Sequence, residues 1–121
     1  MSILKEIYTV EGRLNRLAYL KYMLLLALIA GLSTFVLSSM ATFLTGDPNG
    51  FLVKAITSIW ALVAGAGNVM LMIRRLHDLG KSGYFALLAI IPLIGFIFSI
   101  YLFFAPGQVG WNQYGADPLT D

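Results

Sequence analysis

Residues 22–45 of the chain read YMLLLALIAGLSTFVLSSMATFLT, a stretch with no Asp, Glu, Lys, Arg or His. A helix rises about 1.5 Å per residue, so roughly 20 apolar residues cross the ~30 Å hydrocarbon core of a bilayer. Backbone amide and carbonyl groups in lipid have to bond within their own segment. The stretch is therefore predicted to be a membrane-spanning helix.

Two further windows of the sequence also lack charged residues and histidine. One covers residues 55–73, and the other covers residues 82–116, of which 84–105 is the apolar part. Hydrophobic residues make up 59% of the 121 residues and charged residues 12%, against about 45–50% and about 25% in soluble domains. A small soluble domain could not bury so much apolar surface. The sequence predicts an all-α membrane protein with three transmembrane helices.

The basic residues alternate between the flanks of these windows. Four precede the first window, one separates the first from the second, three separate the second from the third, and none follows the third. Cytoplasmic loops of membrane proteins carry the excess of Lys and Arg. The N-terminus and the second loop are therefore predicted to be cytoplasmic. In chain order the basic residues are Lys5, Arg13, Arg16, Lys21, Lys54, Arg74, Arg75 and Lys81.

The third window carries Pro92 and Gly95 at its middle. One interpretation is a kinked helix that crosses the membrane and leaves the tail outside, because membrane helices tolerate proline when their neighbours satisfy the freed backbone groups. The other is a re-entrant segment at Pro92–Gly95 that turns back and returns the tail to the cytoplasm. The tail has no Lys or Arg, so the charge pattern does not choose between them.

The first 21 residues alternate apolar and charged positions at mostly helical spacing. This pattern predicts an N-terminal interfacial amphipathic helix, with a break allowed at Gly12. The chain is thus a single membrane domain with six segments: 1–21 cytoplasmic and interfacial, 22–45 span 1, 55–73 span 2, 74–83 cytoplasmic loop, 84–105 span 3, and 106–121 polar tail.

Small residues within the spans indicate how the helices pack. Gly31 in the first span and Gly65 in the second leave room for close approach, and Asn68 supplies an amide that seeks a partner across a helix interface in lipid. We predict that these three residues pack the helices together. No predicted span contains a charge, which argues against a transport path.

The loop 74–83 holds the densest polar cluster. Arg74 and Arg75 could bind phosphate groups of lipid heads, and His77 beside Asp78 could handle a proton. The alternative interpretation is that the arginines only set topology and that Asp78 pairs with one of them. One histidine and few carboxylates make a poor metal site, so no metal and no cofactor is expected. A net charge of +2 does not suggest nucleic acid as a partner.

Three blocks of sequence resemble a known family. The blocks are GRLNRLAY at 12–19, RRLHDLGKSGY at 74–84 and GWNQYGADP at 110–118. They are similar to the Gly-Arg-x-x-Arg-x-x-Tyr, Arg-Leu-His-Asp and Gly-x-Asn-x-Tyr-Gly-x-Asp-Pro blocks of the domain-of-unknown-function 805 family, small inner-membrane proteins of the YhaH-like type. Family members often have Trp where Leu20 and Tyr84-Phe85 stand here. The resemblance implies a bacterial inner (cytoplasmic) membrane location and no particular activity.

Two Arg-containing blocks and an Asp-containing tail suggest that the blocks meet, for instance with Asp117 against Arg13, Arg16 or Arg74. Only a re-entrant third segment would bring them to one side. The candidate functional cluster consists of Arg13, Arg16, Arg74, Arg75, His77, Asp78, Asn112, Tyr114 and Asp117.

The sequence favours a non-enzymatic helical bundle that binds lipid headgroups or a partner protein at its cytoplasmic face. Its expected partners are membrane lipids, a second copy of the chain or another membrane protein. One alternative is a small oligomeric transporter or channel subunit, with a path lined by Asn68 and the hydroxyls of the first span. Another is an enzyme acting on lipid headgroups, with His77 as the base and Asp78 orienting it.

Overall fold

The computed structural model describes residues 2–119, and its regular secondary structure is helical. Two long helices form a hairpin, and shorter helices pack around one end of it. The elements in chain order are α1 (Ser2–Ile7), α2 (Arg16–Thr45), α3 (Phe51–Asp78), a 3-10 helix (Gly83–Ile90) and α4 (Pro92–Phe104).

Helix α2 has a local signal at each of its ends. The side chain of Asn15 accepts a hydrogen bond from the backbone N–H of Ala18 at 2.7 Å and so caps the start of α2. Gly46 ends α2 in the left-handed region, at φ 72°. At 30 and 28 residues, the helices are about 45 Å and 42 Å long. Both are long and apolar enough to cross a membrane, as predicted for the first two spans.

The predicted third membrane-spanning helix over 84–105 is not confirmed. The 3-10 helix and α4 replace it, separated at Ile91, which is extended at φ −80° and ψ 119°. Pro92 explains the break, since proline disfavours helical backbone in the residue before it and has no N–H to donate. The two pieces have 8 and 13 residues, or about 16 Å and about 20 Å. Neither piece reaches across a core of about 30 Å.

Gly95 allows these two pieces to fold back on each other. A Cβ atom at this position would lie 2.5 Å from the carbonyl oxygen of Ala89. The 3-10 helix packs against α3 and α4, and α4 packs against α2. As a result α4 ends beside the start of α2, where the Arg16 guanidinium donates to the carbonyl of Phe104 at 3.1 Å.

The N-terminal segment lies against α3. Gly12 adopts φ 88° and lies between α1 and α2, which is the break that the sequence allowed. The Tyr8 hydroxyl donates to the carbonyl of Val63 at 2.8 Å, and Val63 is close to the middle of α3. The predicted N-terminal amphipathic helix at the interface is not confirmed, because α1 has only six residues and residues 16–21 belong to α2.

The predicted packing glycines do not lie at close helix contacts within the chain. An added Cβ at Gly31 or Gly65 would meet nothing within 4 Å, and Asn68 is exposed. Gly67 is the closely packed glycine of α3, since a Cβ there would lie 2.8 Å from the Tyr8 ring. Helical spacing alone does not reveal which glycine receives a side chain from a distant segment.

The buried core lies at the end of the hairpin where the three sequence blocks are located. Its fully buried apolar side chains come from every long helix and from the N-terminal segment. The outer surfaces of α2, α3 and α4 instead expose large apolar side chains, as in a protein covered by lipid. The fully buried apolar residues are Ile7, Tyr19, Leu71, Leu76 and Leu102.

Candidate functional site

A buried ion-pair cluster joins the N-terminal block to the end of α3. The Nε atom of Arg13 lies 3.0 Å from Oδ1 of Asp78, and Nη1 of Arg75 lies 2.7 Å from Oδ2. The side chains of Arg13, Arg75 and Asp78 are 1%, 0% and 4% exposed. One carboxylate therefore serves two buried guanidinium groups, an arrangement that is stable only when the remaining donors also find partners.

The remaining Arg75 donors are bonded to backbone carbonyls. Nε donates to Leu102 at 2.8 Å, Nη1 also donates to Leu14 at 3.1 Å, and Nη2 donates to Ala105. Arg75 thus ties α4 and the start of α2 to α3. Arg74 and Arg75 therefore cannot bind lipid headgroups as the predicted pair, because Arg75 is buried and its donors are bonded within the protein.

Arg13 holds the C-terminal tail in the same way. Its Nη1 donates to the carbonyl of Gly110 and its Nη2 to that of Gln108, both at 2.5 Å. The Gln108 N–H donates in turn to the backbone carbonyl of Asp78 at 2.8 Å. The tail after α4 is therefore fixed against the end of α3, and the three sequence blocks lie together.

Asp117 plays a different role from the predicted one. It is not paired with Arg13, Arg16 or Arg74; Oδ2 accepts from the Gly110 N–H at 2.8 Å and Oδ1 from the Leu119 N–H at 2.9 Å. These two hydrogen bonds, and then the charge of Arg13, lower the pKa of Asp117 below its usual 3.8. Asp117 shapes the tail, and Asp78 is the acid that pairs with arginine.

Arg74 and Arg16 lie at the edge of the cluster. Arg74 donates to the backbone carbonyl of Glu6 and lies 3.7 Å from its carboxylate, while the Arg74 carbonyl accepts from the Leu14 N–H at 3.2 Å. The Nε of Arg74 is buried and has no partner among the residues described. Arg16 is exposed and bonds to the end of α4.

His77 and the tail residue Tyr114 form a stacked pair. Their ring centroids are 3.9 Å apart and the ring planes differ by 4°. His77 Nδ1 is 3.0 Å from the carbonyl oxygen of Gly12. Asn112 donates to the backbone carbonyl of His77 at 2.9 Å, and its own side-chain oxygen accepts from the Tyr114 N–H at 2.8 Å. The proposed pairing of His77 with Asp78 is not formed, since both Asp78 oxygens are bonded to arginines.

A groove of about 710 Å³ opens between α3 and the 3-10 helix. Along α3 it extends from Gly65 to His77, a distance of about 18 Å at 1.5 Å per residue. Its walls are mainly apolar; polar side chains gather at the His77 end, and Asn68 is a further polar side chain near the Gly65 end. The residues named in the groove are Val10, Gly65, Asn68, Val69, Met72, Ile73, His77, Ser82, Gly83, Tyr84, Ala86, Leu87, Ala89, Ile90 and Tyr114.

Three contacts of the site had no signal in the sequence that could assign them. The Gln108 N–H donates to the backbone carbonyl of Asp78, and the Gln108 side chain lies against Gly80. A Cβ at Gly107 would meet the Asp78 carboxylate. Only the presence of glycine at 80 and 107 indicated turns, and glycine is common at turns of every kind.

Comparison with known proteins places the chain in a family. A family model described as protein of unknown function (DUF805) matches residues 7–116. The inner membrane protein YhaH of Escherichia coli K12 is 30% identical over all of this chain and 96% of its own length, and YhaI of the same strain is 29% identical over 98% and 92%. No solved structure matches. The two E. coli relatives are named inner membrane proteins, and the chain belongs to the DUF805 family.

Proposed function

We propose that this chain is a non-enzymatic lipid-binding protein of the bacterial inner membrane, which holds a phospholipid with one acyl chain in the groove between α3 and the 3-10 helix. The observation that carries this proposal is the groove itself. Apart from Asn68, its polar side chains lie at the His77 end, next to the buried ion-pair cluster, and the rest of its lining is apolar. A bilayer lipid has the same division between tail and head.

The proposed topology has two spanning helices and a re-entrant third segment. The 3-10 helix enters the membrane from the end of α3 and α4 returns to that end, where Arg75 bonds to Leu102. The N-terminal basic block and the loop after α3 are cytoplasmic by their charge. Irregular backbone inside a bilayer is tolerated where protein covers it, and α3 packs along the 3-10 helix here.

The length of the groove fits one lipid tail. Half of a hydrocarbon core of about 30 Å is about 15 Å, which one acyl chain spans, and the groove follows α3 for about 18 Å. Acyl chains gain no hydrophobic energy by leaving the bilayer for an apolar groove, because lipid is just as apolar. Retention of a lipid therefore depends on van der Waals packing along the groove and on polar contacts at the His77 end.

The site lacks the features of a hydrolytic or transfer centre, among the residues the structure describes. The Asp78 carboxylate neutralises two arginines and is enclosed, so it cannot also orient a base. The hydroxyls of Ser33 and Ser38, candidates for a transport path, donate to carbonyls of their own helix. These contacts support a binding role in preference to catalysis or transport.

We expect Val69→Trp to displace the lipid, because Val69 lines the groove and the indole would occupy the space of the acyl chain. The measurement is cross-linking in membranes with a phospholipid carrying a diazirine near the end of one tail, followed by peptide mapping. Labelling of residues 86–90 should fall about tenfold in this variant, which corresponds to about 1.4 kcal/mol.

Leu62→Trp is the matched control, since Leu62 lies on the same helix, is 75% exposed and is not among the groove residues. Labelling of 86–90 should stay at the wild-type level in this control. Equal labelling in both variants, or wild-type labelling no stronger at 86–90 than around Leu62, would refute the proposed lipid site.

A further inference from the structure

The His77 ring bonds to the protein through Nδ1, and His77 is one of the residues that line the groove. A backbone carbonyl only accepts hydrogen bonds, so the 3.0 Å contact with the Gly12 oxygen requires the proton to be on Nδ1. In the neutral ring Nε2 then carries a lone pair and acts as an acceptor.

The orientation of this ring is fixed from several sides. The Tyr114 ring stacks on its face with the two centroids 3.9 Å apart, and the Asn112 side chain donates to the backbone carbonyl of His77 at 2.9 Å. Asn112 also positions Tyr114 by accepting from its N–H. A ring held in this way meets an incoming group with a defined acceptor and loses little conformational freedom on binding.

Hydroxyl groups with a free proton lie in the groove with His77. Ser82 Oγ accepts from the Tyr84 N–H at 3.2 Å, so its proton remains for an acceptor such as a phosphate oxygen. Tyr114 also lines the groove and carries a hydroxyl that can donate. Donors for a phosphate and an acceptor for a further group are thus gathered at one end of an apolar groove.

We propose that the groove selects phospholipids whose headgroup donates a hydrogen bond, through an ammonium or a hydroxyl group, with His77 Nε2 as the acceptor. This inference rests on the proposed lipid-binding function and adds the class of ligand. A headgroup without a donor cannot make this hydrogen bond, which disfavours its binding relative to a headgroup that can.

The test compares phospholipids that have identical acyl chains and different heads. Phosphatidylethanolamine, its N,N-dimethyl derivative and phosphatidylglycerol each keep a donor, whereas phosphatidylcholine has none. Native mass spectrometry of the full chain at pH 8 should show the first three binding about tenfold tighter than phosphatidylcholine. Equal binding of phosphatidylethanolamine and phosphatidylcholine would overturn the inference.

His77→Phe supplies the protein side of the test, since phenylalanine keeps an aromatic ring for stacking on Tyr114 and has no acceptor. The preference for donor heads should disappear, with every lipid bound at the phosphatidylcholine level. A preference that persists in this variant contradicts the role of Nε2.

Cross-linking of the lipid acyl chains to residues 86–90 separates this inference from the proposed function. If the acyl chains label the groove equally for all four headgroups, only the headgroup selection fails. If no lipid labels the groove above the Leu62 surface, the lipid site itself fails. Cross-linking of the tails together with selection among the heads supports both.

Discussion

Replacing Asp78 by Asn should destabilise the protein more than any other single isosteric substitution. Arg13 and Arg75 would remain buried without a counter-charge, since both now bond to the Asp78 carboxylate. Breaking a buried ion pair from one side costs about 3–5 kcal/mol, and asparagine fills the same volume, so the loss reports on charge. We expect a large drop in the thermal unfolding midpoint in detergent micelles and early proteolysis of the tail.

Glu11→Gln is the matched control for this charge removal. Glu11 is exposed and lies in the same N-terminal segment as Arg13, and surface charges contribute little to stability. Adding Arg75→Met to the Asp78→Asn variant should recover part of the loss, because one of the two unpaired cations is then gone. An unfolding midpoint for Asp78→Asn equal to that of Glu11→Gln would contradict the account of the cluster.

Gly95→Ala should open the fold between the 3-10 helix and α4. The added Cβ would lie 2.5 Å from the Ala89 carbonyl oxygen and 3.0 Å from its carbon. These are backbone atoms, so the contact is relieved only by moving the two helices apart. Overpacking of this kind costs about 1–3 kcal/mol, and it should appear as a lower unfolding midpoint.

The matched control for this variant is Gly31→Ala in α2. A Cβ at Gly31 meets nothing within 4 Å, and alanine is favoured over glycine in a helix by up to about 1 kcal/mol. Gly31→Ala should therefore be neutral or slightly stabilising. If both variants have the same midpoint, the third segment does not fold back at Gly95 as described.

The sequence predicted the parts of the fold that depend on local patterns. Uncharged length identified the first two spans, and Pro92 with Gly95 marked the point at which the third segment changes direction. The path of the chain after that point could not be predicted from the local sequence. A kink and a reversal use the same residues, and the tail carries no basic residue to choose between them.

The sequence grouped the residues of the candidate cluster and did not assign their pairs; the functional role of the cluster stays a prediction. The sequence left open that Asp78 pairs with one of the neighbouring arginines, and Arg75 lies three residues before it on the same helix. The partner from the N-terminal block is 65 positions away, and nothing in the spacing shows that Arg13 joins Asp78 while Asp117 bonds to backbone N–H groups. Long-range pairing of this kind depends on the path of the third segment.

The groove was not predicted at all. Its walls belong to α3 and to the 3-10 helix, and periodicity predicted an ordinary spanning helix in place of the latter. Residues such as Val69 and Leu87 look like any other lipid-facing side chains in the sequence. They line one groove because the 3-10 helix lies against α3.

The central claim is that the tail returns to the side of the membrane on which the N-terminal block lies. Reporter fusions placed after Asp121 measure this most directly, and fusions after Asn49, in the turn between α2 and α3, serve as the external control. The account predicts a fluorescent green fluorescent protein and inactive alkaline phosphatase after Asp121, with the opposite result after Asn49. Active alkaline phosphatase after Asp121 would place the tail outside and contradict the account.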